Sequence, residues 1–235
     1  MTTLMLLPGL NCDAAVWAPQ VAALKDQAHC VIPAWGLRDT LTAMAEQVLA
    51  EAPTERFSVA GHSMGGRVAL EVFRLAPQRV ERLALLSTGT HPLAAGEVGE
   101  KERAGRMALL QIARTKGMRA MGQQWARGMV HAGRLGTSVF EDVLDMLARG
   151  SAEQYAAQIN ALLTRPDAAP LLPTIACPTL VLTGREDAWS GPAQHETMAA
   201  AIPNATLAIV EHCGHMCTME QPQAVNEALA AWLRR

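Results

Sequence analysis

The sequence predicts an α/β protein in which a mostly parallel sheet of about six strands is flanked by helices. Three observations support this. Short apolar runs alternate with helical periodicity three times before residue 90 and resume after residue 165. The runs are continuous rather than alternating, as suits strands covered on both faces. Their connections are short, as in the crossover units of a parallel sheet.

Leu4-Met5-Leu6-Leu7 reads as the first buried strand, and Pro8-Gly9-Leu10-Asn11 as a sharp turn after it. Trp17, Val21 and Leu24 recur at i, i+4 and i+7 with Pro19 in a first turn, which predicts a helix. His29 to Pro33 is a second short strand. Leu41, Met44, Ala45, Val48 and Leu49 mark an amphipathic helix closed by Pro53, and Phe57 to Ala60 is the third strand. Val68, Leu70, Val72, Phe73 and Leu75 are helical up to the stop at Pro77, and Leu83-Ala84-Leu85-Leu86 is the fourth strand.

From His91 to Arg165 no strand-like run occurs. Val139, Phe140, Val143, Leu144 and Leu147 form one helical stripe, and Tyr155, Ile159, Leu162 and Leu163 another. The expected division is therefore a core of residues 1–90 and 166–235, with 91–165 as a helical cap. That segment holds ten of the twenty basic residues against seven acidic ones, which reads first as solvated helix faces and second as a pocket favouring anions. The sheet resumes at Thr179 to Gly184, followed by a helix near Ala193 to Ala201 and a strand from Ala205 to Val210. A long helix from Ala224 to Leu233 closes the chain.

Composition narrows the class. Half of the residues are hydrophobic, and 20 basic and 22 acidic residues are interspersed to a net charge of −2, so neither nucleic acid nor a membrane surface is an expected partner. The first apolar run lacks a basic flank and is too short for a signal peptide's core, which points to the cytoplasm. Five cysteines, an odd number without framework spacing, fit reduced thiols. His212-Cys213-Gly214-His215-Met216-Cys217 gathers soft ligands, but no second pair stands at zinc-site spacing, so no metal is expected and burial is the default for those cysteines.

The motif that carries chemistry is Gly61-His62-Ser63-Met64-Gly65, between the third strand and its helix. A strand that turns this sharply into a helix needs glycine on either side of the apex, and a serine there is pushed out of the fold. A hydroxyl is a poor nucleophile at neutral pH unless a base and an orienting carboxylate serve it. Asp187 follows the fifth strand in Gly184-Arg185-Glu186-Asp187, and His215 follows the sixth beside Gly214. His62, His91, His131 and His212 compete for the base, but His215 alone combines the final strand with a neighbouring glycine. Ser87 and Thr88, after the fourth strand, cannot supply the carboxylate, while Glu186 is adjacent to Asp187.

The order serine, acid, histidine, the glycine-flanked elbow and the helical insertion after the fourth strand resemble the α/β-hydrolase superfamily over essentially the whole chain. The resemblance implies Ser63 as nucleophile, His215 as base and then acid, Asp187 as its partner, and an oxyanion hole from the N–H groups of Leu10 and Met64. It implies no cofactor. Two departures concern Pro8-Gly9, where relatives often have His-Gly, and Ala34-Trp35-Gly36-Leu37-Arg38, where many have Gly-x-Gly-x-Ser. The two strands that usually precede the first are absent from this sequence, hence the expectation of a trimmed sheet. Trp125, His131 and Trp189 are candidate pocket residues.

The reaction these residues imply is hydrolysis of a small ester or lactone, with carboxylesterase or enol-lactonase as the type. A cofactor-free carbon–carbon bond hydrolase or lyase of the same fold is the alternative, and a non-catalytic ligand-binding member a further one. The partner is then a small-molecule substrate, and a homodimer is compatible with the sequence.

Overall fold

The computed structural model describes all 235 residues. Six strands, β1 (Thr2–Leu7), β2 (Ala28–Val31), β3 (Phe57–His62), β4 (Val80–Leu86), β5 (Thr179–Gly184) and β6 (Ala205–Val210), form one sheet in the order β2-β1-β3-β4-β5-β6. Every pairing is parallel, so the sheet is wholly rather than mostly so.

Helices cover both faces. Between the strands run α1 (Ala18–Leu24), α2 (Leu41–Glu51) and α3 (Met64–Leu75). Between β4 and β5 lie α4 (Glu97–Lys116), α5 (Met118–Trp125), α6 (Ser138–Ala148) and α7 (Ala152–Leu163). The chain ends with α8 (Pro192–Ala201), the short α9 (Cys217–Glu220) and α10 (Pro222–Leu233). Alternate strand residues feed two cores. Met5, Leu7, Val59, Leu83, Leu85 and Val181 pack with α2, α3 and much of the insertion. Leu4, Leu6, Ala60, Ala84, Leu86, Leu180 and Leu182 pack with α1, α6 and α10. The period-two geometry of a strand makes continuous apolar runs necessary here, because each face needs its own set. The edge strand β6 is the exception, with Leu207 37% exposed.

The sequence reading of the strands holds to within a few residues, but β4 starts three residues earlier than the apolar run and the helix before α2 opens as a 3-10 turn at Ala14–Trp17. Charged Glu81 and Arg82 lie in β4 because Arg82 pairs with Ser58 of β3 and Glu81 falls at the register shift beside it, while their side chains pair with each other. All five cysteines are free, and no helix is long and apolar enough to cross a membrane.

Two glycines set the path at the elbow. A Cβ on Gly61 would lie 2.1 Å from the Gly65 carbonyl oxygen, and one on Gly65 would lie 2.1 Å from the Leu7 carbonyl oxygen. Both clashes are against backbone, which no side-chain rotation relieves. Gly65→Ala is therefore expected to cost at least about 3 kcal/mol, at the upper end of overpacking penalties, read as a drop in the urea midpoint of unfolding; an unchanged midpoint would contradict this tight packing of α3 on β1.

Candidate active site

Four non-glycine residues hold positive φ: Asn11 (55°), Ser63 (56°), Ser87 (46°) and His212 (53°). Each follows a strand, β1, β3, β4 or β6, at the carboxyl edge where open parallel sheets gather ligands. Such backbone states cost roughly 1–3 kcal/mol apiece and persist where the surroundings over-determine them. At Ser63 those surroundings are explicit. Its N–H donates to Leu86 O at 2.9 Å, and its carbonyl accepts from Gly66 N–H at 3.0 Å and from the Thr88 hydroxyl at 2.7 Å. The side chain is thereby turned out at the head of α3.

His215 Nε2 stands 2.9 Å from Ser63 Oγ, and its Nδ1 stands 2.9 Å from Asp187 Oδ2. The three sequence-selected side chains thus meet in one hydrogen-bonded line. Asp187 is 5% exposed, and its other oxygen accepts the N–H groups of Trp189 and Ser190 at 2.9 Å each. Burial works against its charge, but the adjacent His215 and these donors prevail and hold the carboxyl well below the usual range. An ionised carboxylate only accepts, so in the neutral imidazole the His215 proton sits on Nδ1 and Nε2 presents a lone pair to the Ser63 hydroxyl.

Two backbone amides flank the serine. Met64 N–H opens α3 without an intrahelical acceptor, and Ser63 provides no side-chain cap. Leu10 N–H, in the turn after β1, donates to no group of the protein. Leu10 and Met64 are both buried, so these donors are shielded from bulk water. In the Pro8-Gly9 turn, Pro8 contributes its carbonyl, which takes the Trp35 indole N–H at 3.1 Å, and a Cβ on Gly9 would stand 3.1 Å from His62 Nδ1.

The candidate pocket residues separate. Trp189 lies against the His215 ring with centroids 4.9 Å apart, and Trp125 stacks on Trp189 at 5.8 Å and 17°. Tyr155 extends this wall beyond Trp125 at 5.7 Å. His131 is not in it. Its ring packs edge-on against His212 at 6.1 Å, and its Nδ1 accepts Gly133 N–H at 3.0 Å, which places it at the seam between insertion and core. His131, Glu186 and His212 bring donor atoms within 4.8 Å of one another, yet the first already serves Gly133 and Glu186 Oε2 accepts Cys213 N–H at 2.9 Å. Cys213 and Cys217 are buried in the apolar core, and burial pushes both thiols up, Cys217 to about 12, so neither is a thiolate.

Five of the insertion's ten basic residues pair with carboxylates. Arg106 and Arg165 share Glu102, whose carboxyl burial would raise but whose two guanidinium partners bring it down to about 2. Arg119 bonds Glu141 and Asp145, and Arg149 bonds Asp13 at 2.6 Å.

Sequence reasoning missed the groups that hold the histidine loop. Met129 O, on the insertion, accepts both His215 N–H at 2.7 Å and Met216 N–H at 3.1 Å. Glu220, 2% exposed, accepts N–H from His131 at 2.7 Å, Gly214 at 3.1 Å and Met216 at 3.1 Å. His62 Nε2 donates to the His215 carbonyl at 2.8 Å; burial pushes this imidazole down to about 4, so it stays neutral and keeps that donor. No local signal marks these groups, and Glu220 at the end of α9 reads in the sequence as a surface acid.

This arrangement can move a proton from a hydroxyl to an imidazole and stabilise an oxyanion beside it. A sequence model of the alpha/beta hydrolase family matches residues 4–228. Among curated proteins, 3-oxoadipate enol-lactonase 2 of Acinetobacter baylyi is 30% identical over 177 residues, 74% of this chain and 62% of the relative, so the match spans less than two thirds of that enzyme. A 2-hydroxy-6-oxononadienedioate/2-hydroxy-6-oxononatrienedioate hydrolase of Cupriavidus pinatubonensis is 28% identical over 98% of this chain and 86% of its own length. A thermophilic esterase from Thermogutta terrifontis superposes with a TM-score of 0.87 at 28% identity, covering 100% of this chain and 90% of the esterase. With the family match spanning nearly its whole length, the chain belongs to the alpha/beta hydrolase family.

Proposed function

We propose that the chain is a serine hydrolase that cleaves a small carboxylic ester or lactone through an acyl-enzyme. The observation that carries this reading is the continuous line from Asp187 through His215 to Ser63, set beside two backbone amides that lack acceptors. Ser63 Oγ attacks the carbonyl carbon as His215 Nε2 takes its proton, and the carbonyl oxygen becomes an oxyanion between Leu10 and Met64 N–H. Collapse breaks the ester C–O bond, and the leaving oxygen takes the proton back from His215. Water then repeats the sequence against the acyl-enzyme and releases the acid. With a lactone the leaving hydroxyl stays tethered, so one hydroxy acid, or its keto tautomer from an enol lactone, is the product. Every step is acyl or proton transfer and needs no cofactor.

The relatives named as enol-lactonase and esterase support the ester and lactone reading. Cleavage of a carbon–carbon bond is the second reading, favoured by the match to the Cupriavidus pinatubonensis hydrolase over 98% of this chain. Five free thiols favour the cytoplasm as the location. A fluorophosphonate ester tests the acyl-enzyme: intact mass is expected to rise by one phosphonyl group, mapped by peptide digestion to Ser63. Labelling elsewhere, or none, would overturn the proposal.

A further inference from the structure

The turn that carries Leu10 is held from two sides. On the core side, Trp35 donates to Pro8 O at 3.1 Å and Cys12 N–H closes on Gly9 O at 3.2 Å. On the other side the polar partners come from the insertion. Gln158 Oε1, on α7, accepts Asn11 N–H at 2.7 Å, and Asn11 Nδ2 donates to Leu147 O, in α6, at 2.9 Å. Both Asn11 and Gln158 are buried, at 6% and 5% exposure. The approach is close enough that a Cβ on Gly150 would stand 2.1 Å from Asn11 Oδ1. Arg149 adds its ion pair to Asp13, two residues along the turn.

Asn11 takes a left-handed φ of 55°, a state that asparagine tolerates but does not require. Its N–H belongs to the Leu10–Asn11 peptide unit, which joins at the Leu10 Cα the Gly9–Leu10 unit carrying the Leu10 N–H; the Cys12 N–H to Gly9 O bond spans both units, so anchoring the Asn11 amide limits how far the Leu10 amide can swing. A buried amide deprived of its acceptor turns toward water if the chain can rotate, and here that rotation would loosen the turn closed by Cys12 N–H on Gly9 O, whose peptide unit carries the Leu10 donor.

We propose that Gln158 is a positioning residue for the oxyanion hole, so that Leu10 N–H reaches its station only while the insertion is seated on the core. This rests on the reading of Ser63 as nucleophile. The insertion thereby does more than roof the substrate: α7 completes the electrostatic half of the site, and lifting it would separate Gln158 from Asn11 and relax the hole.

The experiment compares Gln158→Met, which keeps the shape and removes the acceptor, with Gln158→Glu, which keeps an acceptor oxygen. Two readouts are taken, kcat and KM on 4-nitrophenyl acetate, and Ki for phenylboronic acid, whose tetrahedral serine adduct uses the oxyanion donors. Complete loss of one donor costs about 10²–10³ in rate, so a displaced donor is expected to cost about tenfold. Gln158→Met should lower kcat by that factor, leave KM within about twofold and weaken the boronate in proportion, while Gln158→Glu recovers most of both. Should Gln158→Met fail to fold, Asn11→Gly accepts the positive φ without strain, removes the Leu147 anchor and is expected to show the same paired loss. A variant that keeps both values within twofold, or that loses rate with unchanged boronate affinity, would overturn the role. If the wild type is neither inhibited by the boronate nor labelled at Ser63, the nucleophile reading itself fails; inhibition and labelling with a silent Gln158→Met would sink this inference alone.

Discussion

Ser63→Ala is expected to reduce turnover of 4-nitrophenyl acetate by about 10⁶-fold, leaving only what binding and the oxyanion donors give over water. The size follows from the removal of the covalent step itself rather than from a weakened contact. The variant should nevertheless fold well. Alanine removes one half-buried hydroxyl, and the backbone bonds from Ser63 N–H to Leu86 O and from Gly66 N–H to the residue 63 carbonyl stay in place. Alanine at a φ of 56° carries the same backbone strain as serine, so the thermal midpoint should move by no more than a few degrees. Substantial residual turnover in purified Ser63→Ala, after exclusion of contaminating esterase, would end the acyl-enzyme proposal.

Asp187→Asn should lower kcat by about 10⁴-fold with KM little changed, because the defect lies in the proton, not in the pocket. An asparagine must still satisfy Trp189 and Ser190 N–H with its oxygen, since those two donors face one side of the group at 2.9 Å. Its NH₂ then points at His215 Nδ1, which can only accept, and the ring proton moves to Nε2. A protonated Nε2 cannot take the Ser63 proton. The measurement is kcat together with the proton NMR spectrum, in which the far-downfield Nδ1–H signal of the wild type should vanish; its survival would show that the tautomer had not changed. The sign of the acid response also follows. Because the folded Asp187 carboxyl lies below its unfolded value, its contribution to stability is complete above the unfolded pKa and is lost as pH falls through the folded one. That places the loss at strongly acid pH, below the range in which ordinary carboxylates titrate.

The strands and the hydrogen-bonded line of Asp187, His215 and Ser63 were legible because each has a local signature. Continuous apolar runs announce a buried parallel strand, and Gly61 and Gly65 announce the close passage of β3, α3 and β1 that their missing Cβ atoms permit. Asp187 and His215 could be found because a site at one sheet edge draws its residues from the ends of strands. The supports of that site lack such a signature. Met129 contributes a carbonyl, which any residue has, to an amide 86 positions away. Glu220 looks like a surface acid until the fold turns it onto three amides. Gln158 was the nearest to readable: it lies three residues after Tyr155 and four before Leu162, on the apolar face of α7, where a polar side chain needs a partner. Nothing local named that partner as Asn11. His131 was drawn toward the pocket by its residue type, but its Nδ1 closes the turn at Gly133 and commits the ring to the seam.

The single carbonyl of Met129 that takes two amides of the histidine loop bears on how this alpha/beta hydrolase family member can be re-engineered. Grafting another hydrolase's residues 91–165 to import a new specificity would also exchange the backbone on which His215 hangs. A chimera that binds its intended substrate well and turns it over slowly is the natural outcome. Libraries aimed at selectivity should therefore keep residues 129–131 and vary the aromatic wall at Trp125, which stacks on Trp189 rather than on the His215 ring.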